Sequence, residues 1–180
     1  MKIWYDTEFH ENGYTIMPIS IGLVAADDRE YYAIHDRMNL RKLAGHPWVM
    51  ANVVPHLPLR VDGDRNLRWD LDHPDYHAVK PLSVIAHEVR DFIVATPDVE
   101  LWAWYGAFAH VMLAWLYGPM SDLPDGIPMW TNDLRQEAHR LGNPRLPAQG
   151  DGEHNALADA RHNRVVGQHL AQVAERTTRA

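Results

Sequence analysis

With 180 residues, 46% of them hydrophobic and 23% charged, the chain has the make-up of an ordinary globular protein, and its length suits one domain over residues 1–180 around a single core. No apolar run approaches the roughly 20 residues of a membrane span, and the lack of cysteine excludes a disulfide framework. The 17 basic against 24 acidic residues, a net charge of −7, exclude a broad phosphate-neutralising face for duplex nucleic acid, so any such contact is local.

Met1 to Asp6 lacks the apolar stretch of a secretory signal, which predicts a cytoplasmic protein. Lys2–Tyr5 and Ile16–Ala26 read as strands, and the Asp27-Asp28-Arg29 turn returns the chain as a third strand over Glu30–His35, an antiparallel meander. Leu40, Leu43 and Val49 have helical spacing, with Pro47 dividing the segment into two short helices. Arg60 to His77 has little periodicity and predicts a long surface excursion; His73 and His77, beside Asp72 and Asp75, read as solvated surface. Pro81 opens a helix to about Thr96 with Val84, Ile85, Val89, Phe92 and Ile93 as its apolar stripe. A buried strand over Val99–Trp104, a helix over Phe108–Tyr117 and a fifth strand over Ile127–Trp130 follow. Asn132 then caps a helix to Leu141, and a last helix runs from Asn155 to about Glu175, with Arg176–Ala180 frayed. This order predicts an α/β protein with a mixed five-stranded sheet, an antiparallel meander plus parallel strands flanked by helices, in a ribonuclease-H-like fold.

Two pairs of residues carry the chemistry. Asp6 and Glu8 lie two apart at the end of the first predicted strand, so both carboxylates turn to one face and are able to share a hard divalent cation. The same spacing also describes two exposed acids at a strand end. His154 and Asp159 lie where the last helix begins, an imidazole at the junction and a carboxylate about one turn in. They offer a proton acceptor and a further oxygen ligand, or equally a helix cap and a favourable dipole contact. Phe9 reads either as a stacking platform for a base or as core. Trp102 and Trp104 read as core, and His110 as a helix-surface histidine.

Asp-x-Glu in the first strand and His-x4-Asp at the final helix, within one compatible topology, resemble the DEDDh 3′-5′ exonuclease superfamily. More narrowly, Trp4-Tyr5-Asp6-Thr7-Glu8-Phe9, Ile19-Ser20-Ile21-Gly22, Glu30-Tyr31-Tyr32-Ala33, Trp102-Ala103-Trp104-Tyr105-Gly106-Ala107-Phe108 and the surroundings of Glu137 look like the ribonuclease-T-like family of polyadenylate-specific exoribonuclease AS of actinobacteria, over about residues 1–170. The resemblance implies metal-dependent trimming of single-stranded RNA from its 3′ end, with Asp6, Glu8 and Asp159 holding two Mg2+ (or Mn2+) ions. It further implies His154 as general base, Thr7 and Phe9 against the substrate, and a homodimer in which the 60–77 excursion reaches the partner. The pattern breaks at Ala109, where the family implies an aspartate; alanine has no atom to hold a cation, and an inactivated enzyme is the expectation. The alternative is a catalytically silent, nuclease-like module that binds single-stranded RNA. A third reading is a phosphodiesterase acting on small nucleotides.

Overall fold

The computed structural model describes residues 1–179. Strands β1 (Lys2–Glu11), β2 (Ile16–Ala25) and β3 (Glu30–His35) form the expected antiparallel meander. Its first turn is closed by the Asn12 side chain, which accepts from the Tyr14 and Thr15 amides. The two short helices are α1 (Leu40–Ala44) and α2 (Pro47–Asn52), split at Pro47 as expected. The hairpin strands β4 (Leu59–Val61) and β5 (Leu67–Trp69) follow, then β6 (Val79–Lys80), α3 (Leu82–Val94), β7 (Glu100–Ala103) and α4 (Gly106–Trp115). β8 (Asn132–Asp133), α5 (Leu134–Arg140) and α6 (Ala156–Arg179) complete the chain.

The main sheet has six strands, not five, in the order β6-β3-β2-β1-β7-β8, with β7 parallel to β1, β8 to β7 and β6 to β3. With helices on both sides, this is the ribonuclease-H-like arrangement. The extra strand, β6, follows directly on the 60–77 excursion, whose polar composition hides structure: a hairpin and a 3₁₀ turn over Pro74–Ala78. That segment is anchored because Leu67 is buried and Trp69 packs against the same apolar cluster.

The strand expected at Ile127–Trp130 does not pair. Ile127 is buried, but the ladder forms five residues later, Asn132 against Trp102 and Asp133 against Ala103. Asp133, not Asn132, then caps α5 by accepting from the Gln136 amide at 2.9 Å. Its other carboxylate oxygen takes the Gly106 amide at 2.7 Å, which starts α4 two residues ahead of expectation. Along α3, Ile85, Val89 and Ile93 are buried as the stripe requires, while Val84 is 39% exposed at its edge. α6 continues through Arg179, past the expected fraying at Arg176, with Thr177 and Thr178 hydroxyls bonding back to carbonyls four residues earlier. Ala180 lies outside the described residues. Among those residues no helix is long and apolar enough to cross a membrane.

The period-two pleat of β1 sorts its side chains between two cores. Ile3 and Tyr5 join Ile85, Val89, Ile93 and Leu113 on one side; Trp4 joins Val166 and Leu170 of α6 on the other. Asp6 and Glu8 therefore fall on the side of α6. That helix meets the sheet along Ala156, Ala160, Asn163, Gly167 and Leu170, a repeat of four and three residues that keeps one stripe inward. Glycine is required where backbones meet most closely: a Cβ on Gly22 of β2 would run into the Ala156 carbonyl at the first turn of α6.

Candidate active site

β1 does not stop at Tyr5. It runs on through the acids to Glu11, so Asp6 and Glu8 sit in mid-strand rather than at its end. Pairing with β2 slips between Glu8 and Phe9, where Pro18, which has no N–H to donate, lies opposite Phe9. Across from these acids, Asn155 stands just before α6: its side-chain oxygen accepts from the Leu157 and Ala158 amides, both at 3.1 Å, while its side-chain amide donates to Tyr32 Oη of β3. Two turns in, Asn163 is buried and donates to the Tyr5 carbonyl at 3.1 Å, which ties the helix to the strand that holds the acids.

These anchors bring the four predicted residues together. Ligand atoms of Glu8, His154 and Asp159 lie within 4.8 Å of one another, and Asp6 is close enough that the Asp159 charge disfavours its ionisation. All four line a cleft of about 780 Å³ together with Thr7, Phe9 and Ala109. Ala109 projects from the first turns of α4 and is buried. Thr7 borders the cleft, yet its hydroxyl is buried with no partner, as expected for a residue in the opposite phase of the pleat.

Burial dominates the electrostatics. It pushes the Glu8 carboxyl up to about 9, aided by the Asp6 and Asp159 charges and a hydrogen bond shared with Asp159. Burial, followed by repulsion from Asp159, raises Asp6 well above the ordinary carboxylate range, and burial raises Asp159 as well. Both Asp159 oxygens are engaged, one by Gln149 Nε2 and the other by the His154 backbone N–H at 3.0 Å. Among the described residues none of these three carboxylates is in an ion pair. Buried charges are ordinarily paired or bound to metal, so three acids and an imidazole without a cationic side chain form a donor set suited to a hard divalent ion. Ala109 adds no donor to it.

Several cleft residues go beyond the sequence reading. Trp48 of α2, Tyr105 and Phe108 at the start of α4, and Gln149 and His162 all line it. Trp48, Tyr105 and Phe108 are 51%, 56% and 59% exposed, unusually open for large aromatics, and so free to meet a ligand. Trp102 and Trp104, expected in the core, are both partly buried against the apolar cluster under α5 and α6, and Trp104 also lines the cleft edge-on to Tyr105. His110 is not a surface histidine: it is partly buried, its Nδ1 lies 3.4 Å from Tyr5 Oη, and desolvation lowers its pKa. The signal for Phe108 and Tyr105 was available, since both fall in the Trp102–Phe108 block; Trp48 and Gln149 lie outside every motif.

No family model matches the chain. Two relatives named 3′-5′ exoribonuclease, from Mycobacterium tuberculosis strains CDC 1551 / Oshkosh and ATCC 25618 / H37Rv, are each 39% identical to it over 163 residues, spanning 89% of this chain and 88% of the relative. At that identity over nearly the whole length of both partners, the chain belongs to this family of 3′-5′ exoribonucleases.

Proposed function

We propose that this protein trims single-stranded RNA from the 3′ end, adenylate-rich ends above all, releasing nucleoside 5′-monophosphates in a reaction that requires two Mg2+ or Mn2+ ions. The observation that carries this reading is the meeting of Asp6, Glu8, Asp159 and His154 in one cleft, with Glu8 buried, Asp6 and Asp159 partly buried, and no cationic side chain against the three carboxylates. The names of the two relatives support the class of reaction. The adenylate preference is supported only by the resemblance of the Tyr5–Phe9 and Trp102–Phe108 blocks.

Asp6, Glu8 and Asp159 would hold the ions. When bound, such ions polarise the phosphate oxygens and acidify water. His154 accepts the proton of the attacking water. The water oxygen joins the terminal phosphorus, the bond to the preceding 3′ oxygen breaks, and that oxygen takes up a proton. Phe9, Tyr105 and Phe108 offer aromatic faces to the last bases, each stack worth roughly 1–3 kcal/mol. Without an oxygen at position 109, one ion is held weakly and activity is impaired.

Ala109 also favours a second reading, a module that holds single-stranded RNA without cutting it. The test compares the native chain with Ala109→Asp on an end-labelled oligoadenylate with a free 3′ hydroxyl, in Mg2+ or Mn2+. A one-nucleotide ladder from the aspartate form, weak or absent from the native chain, is the expected result. Binding without cleavage by both forms establishes the second reading instead, and cleavage confined to dinucleotides points to a small-nucleotide phosphodiesterase.

A further inference from the structure

His154 is held by its backbone rather than its ring. Its φ of +69° places it in the left-handed region just before α6, and its N–H is tied to Asp159. Among the described residues its imidazole makes no hydrogen bond, and the aromatic ring against it is Trp48, edge-on with centroids 4.9 Å apart and planes at 75°. Trp48 comes from a remote part of the chain whose placement is firm. Pro47 sits in the first turn of α2, His46 Nδ1 accepts from the Val49 amide at 3.3 Å, and Asn52 Nδ2 donates to the Trp48 carbonyl at 2.8 Å. Val49 is buried in the apolar cluster under β2 and β3, which pins the helix and turns the neighbouring indole outward into the cleft.

We propose that Trp48 is the positioning residue of His154: its indole takes the place of the carboxylate or carbonyl that usually orients a proton-accepting imidazole, and fixes the ring beside the Glu8 and Asp159 carboxylates. The inference rests on the reading of His154 as proton acceptor and adds the group that aims it. An imidazole on a left-handed junction, with no hydrogen bond, is free to rotate about its side-chain bonds; an edge-on indole on a pinned helix removes that freedom. Acting through His154 rather than as a stacking face for a base, Trp48 affects turnover more than substrate affinity.

Two measurements test this. In the protein as it stands, the His154 ring Cε1–H resonance is identified by its disappearance in His154→Ala. Trp48→Leu is expected to move that resonance more than those of the other histidines, His154 being one of 12 in the chain, with thermal stability close to native because Trp48 is half exposed. An unmoved resonance overturns the proposal whatever the activity of either form. In the Ala109→Asp form with Mn2+ and oligoadenylate, Trp48→Leu is expected to lower kcat on the order of 10-fold to 100-fold with KM changing less than about threefold, and Trp48→Phe to restore most of the loss. A raised KM at unchanged kcat makes Trp48 a platform for the base and overturns positioning. His154→Ala with full kcat overturns the general-base reading itself, whereas a large loss there and none in Trp48→Leu overturns only the role of Trp48.

Discussion

Gly22→Ala tests the link between fold and site, because the substituted position lies in β2 and carries no chemistry. The added Cβ would lie 2.5 Å from Leu157 Cα, closer still to the Ala156 carbonyl, and ordinary Cβ contacts begin near 3.4 Å. Backbone has no rotamer to give, so the start of α6 must retreat by roughly 1 Å. His154 and Asp159 flank that turn and move with it. Overpacking of this kind costs about 1–3 kcal/mol, which at 2–4 °C per kcal/mol for a chain of this length lowers Tm by roughly 2–12 °C. A misplacement of about 1 Å in catalytic groups costs turnover on the order of 100-fold. Differential scanning calorimetry and single-turnover cleavage of oligoadenylate, both in an Ala109→Asp background, measure the two effects. Gly63→Ala, with nothing within 4 Å of its added Cβ, is the control. Native Tm and turnover in Gly22→Ala would refute the claim that helix approach at Gly22 sets the site.

Three further outcomes are expected. His154→Ala in the Ala109→Asp background lowers single-turnover cleavage by at least the ~100-fold of general-base loss, and an unchanged rate removes that role. Gln149→Ala frees one Asp159 oxygen from its orienting donor and weakens Mn2+ binding, read by isothermal titration calorimetry, by on the order of 10-fold; equal affinity means that Gln149 does not orient the ligand. In EDTA, stability falls as pH rises from 7.5 to 9. Folded Glu8 keeps its proton up to about 9 while the unfolded carboxyl loses it near 4.5, so the folded state binds more protons throughout that window. The lowered His10, His35 and His110 have their effect at lower pH and do not oppose it there. The limiting slope of about 1.4 kcal/mol per pH unit gives a fall in Tm of a few degrees, which excess Mn2+ should reverse; a flat EDTA profile counts against a buried, proton-holding Glu8.

The meander and the paired acids were legible because each is a local signal: an apolar run over Ile16–Ala25, turn residues at Asp27–Arg29, and a spacing of two that puts Asp6 and Glu8 on one side of a strand. What sequence patterning missed depends on distant partners. β6 and β8 are two-residue strands, too short for any period, and exist because β3 and β7 offer free edges to them. The hairpin over Leu59–Trp69 is polar along most of its length and is anchored on the apolar cluster by Leu59, Leu67 and Trp69. Trp48 illustrates the limit best. Nothing in its own neighbourhood distinguishes it from a surface tryptophan on a one-turn helix; its meaning comes from a histidine 106 positions away, carried to it by a helix whose approach depends on Gly22. Residues that hold chemistry directly leave a spacing in the sequence, whereas residues that aim them are defined by packing. The second class therefore emerges only when the strand, the helix start and the short α2 turn are seen to converge on one cleft.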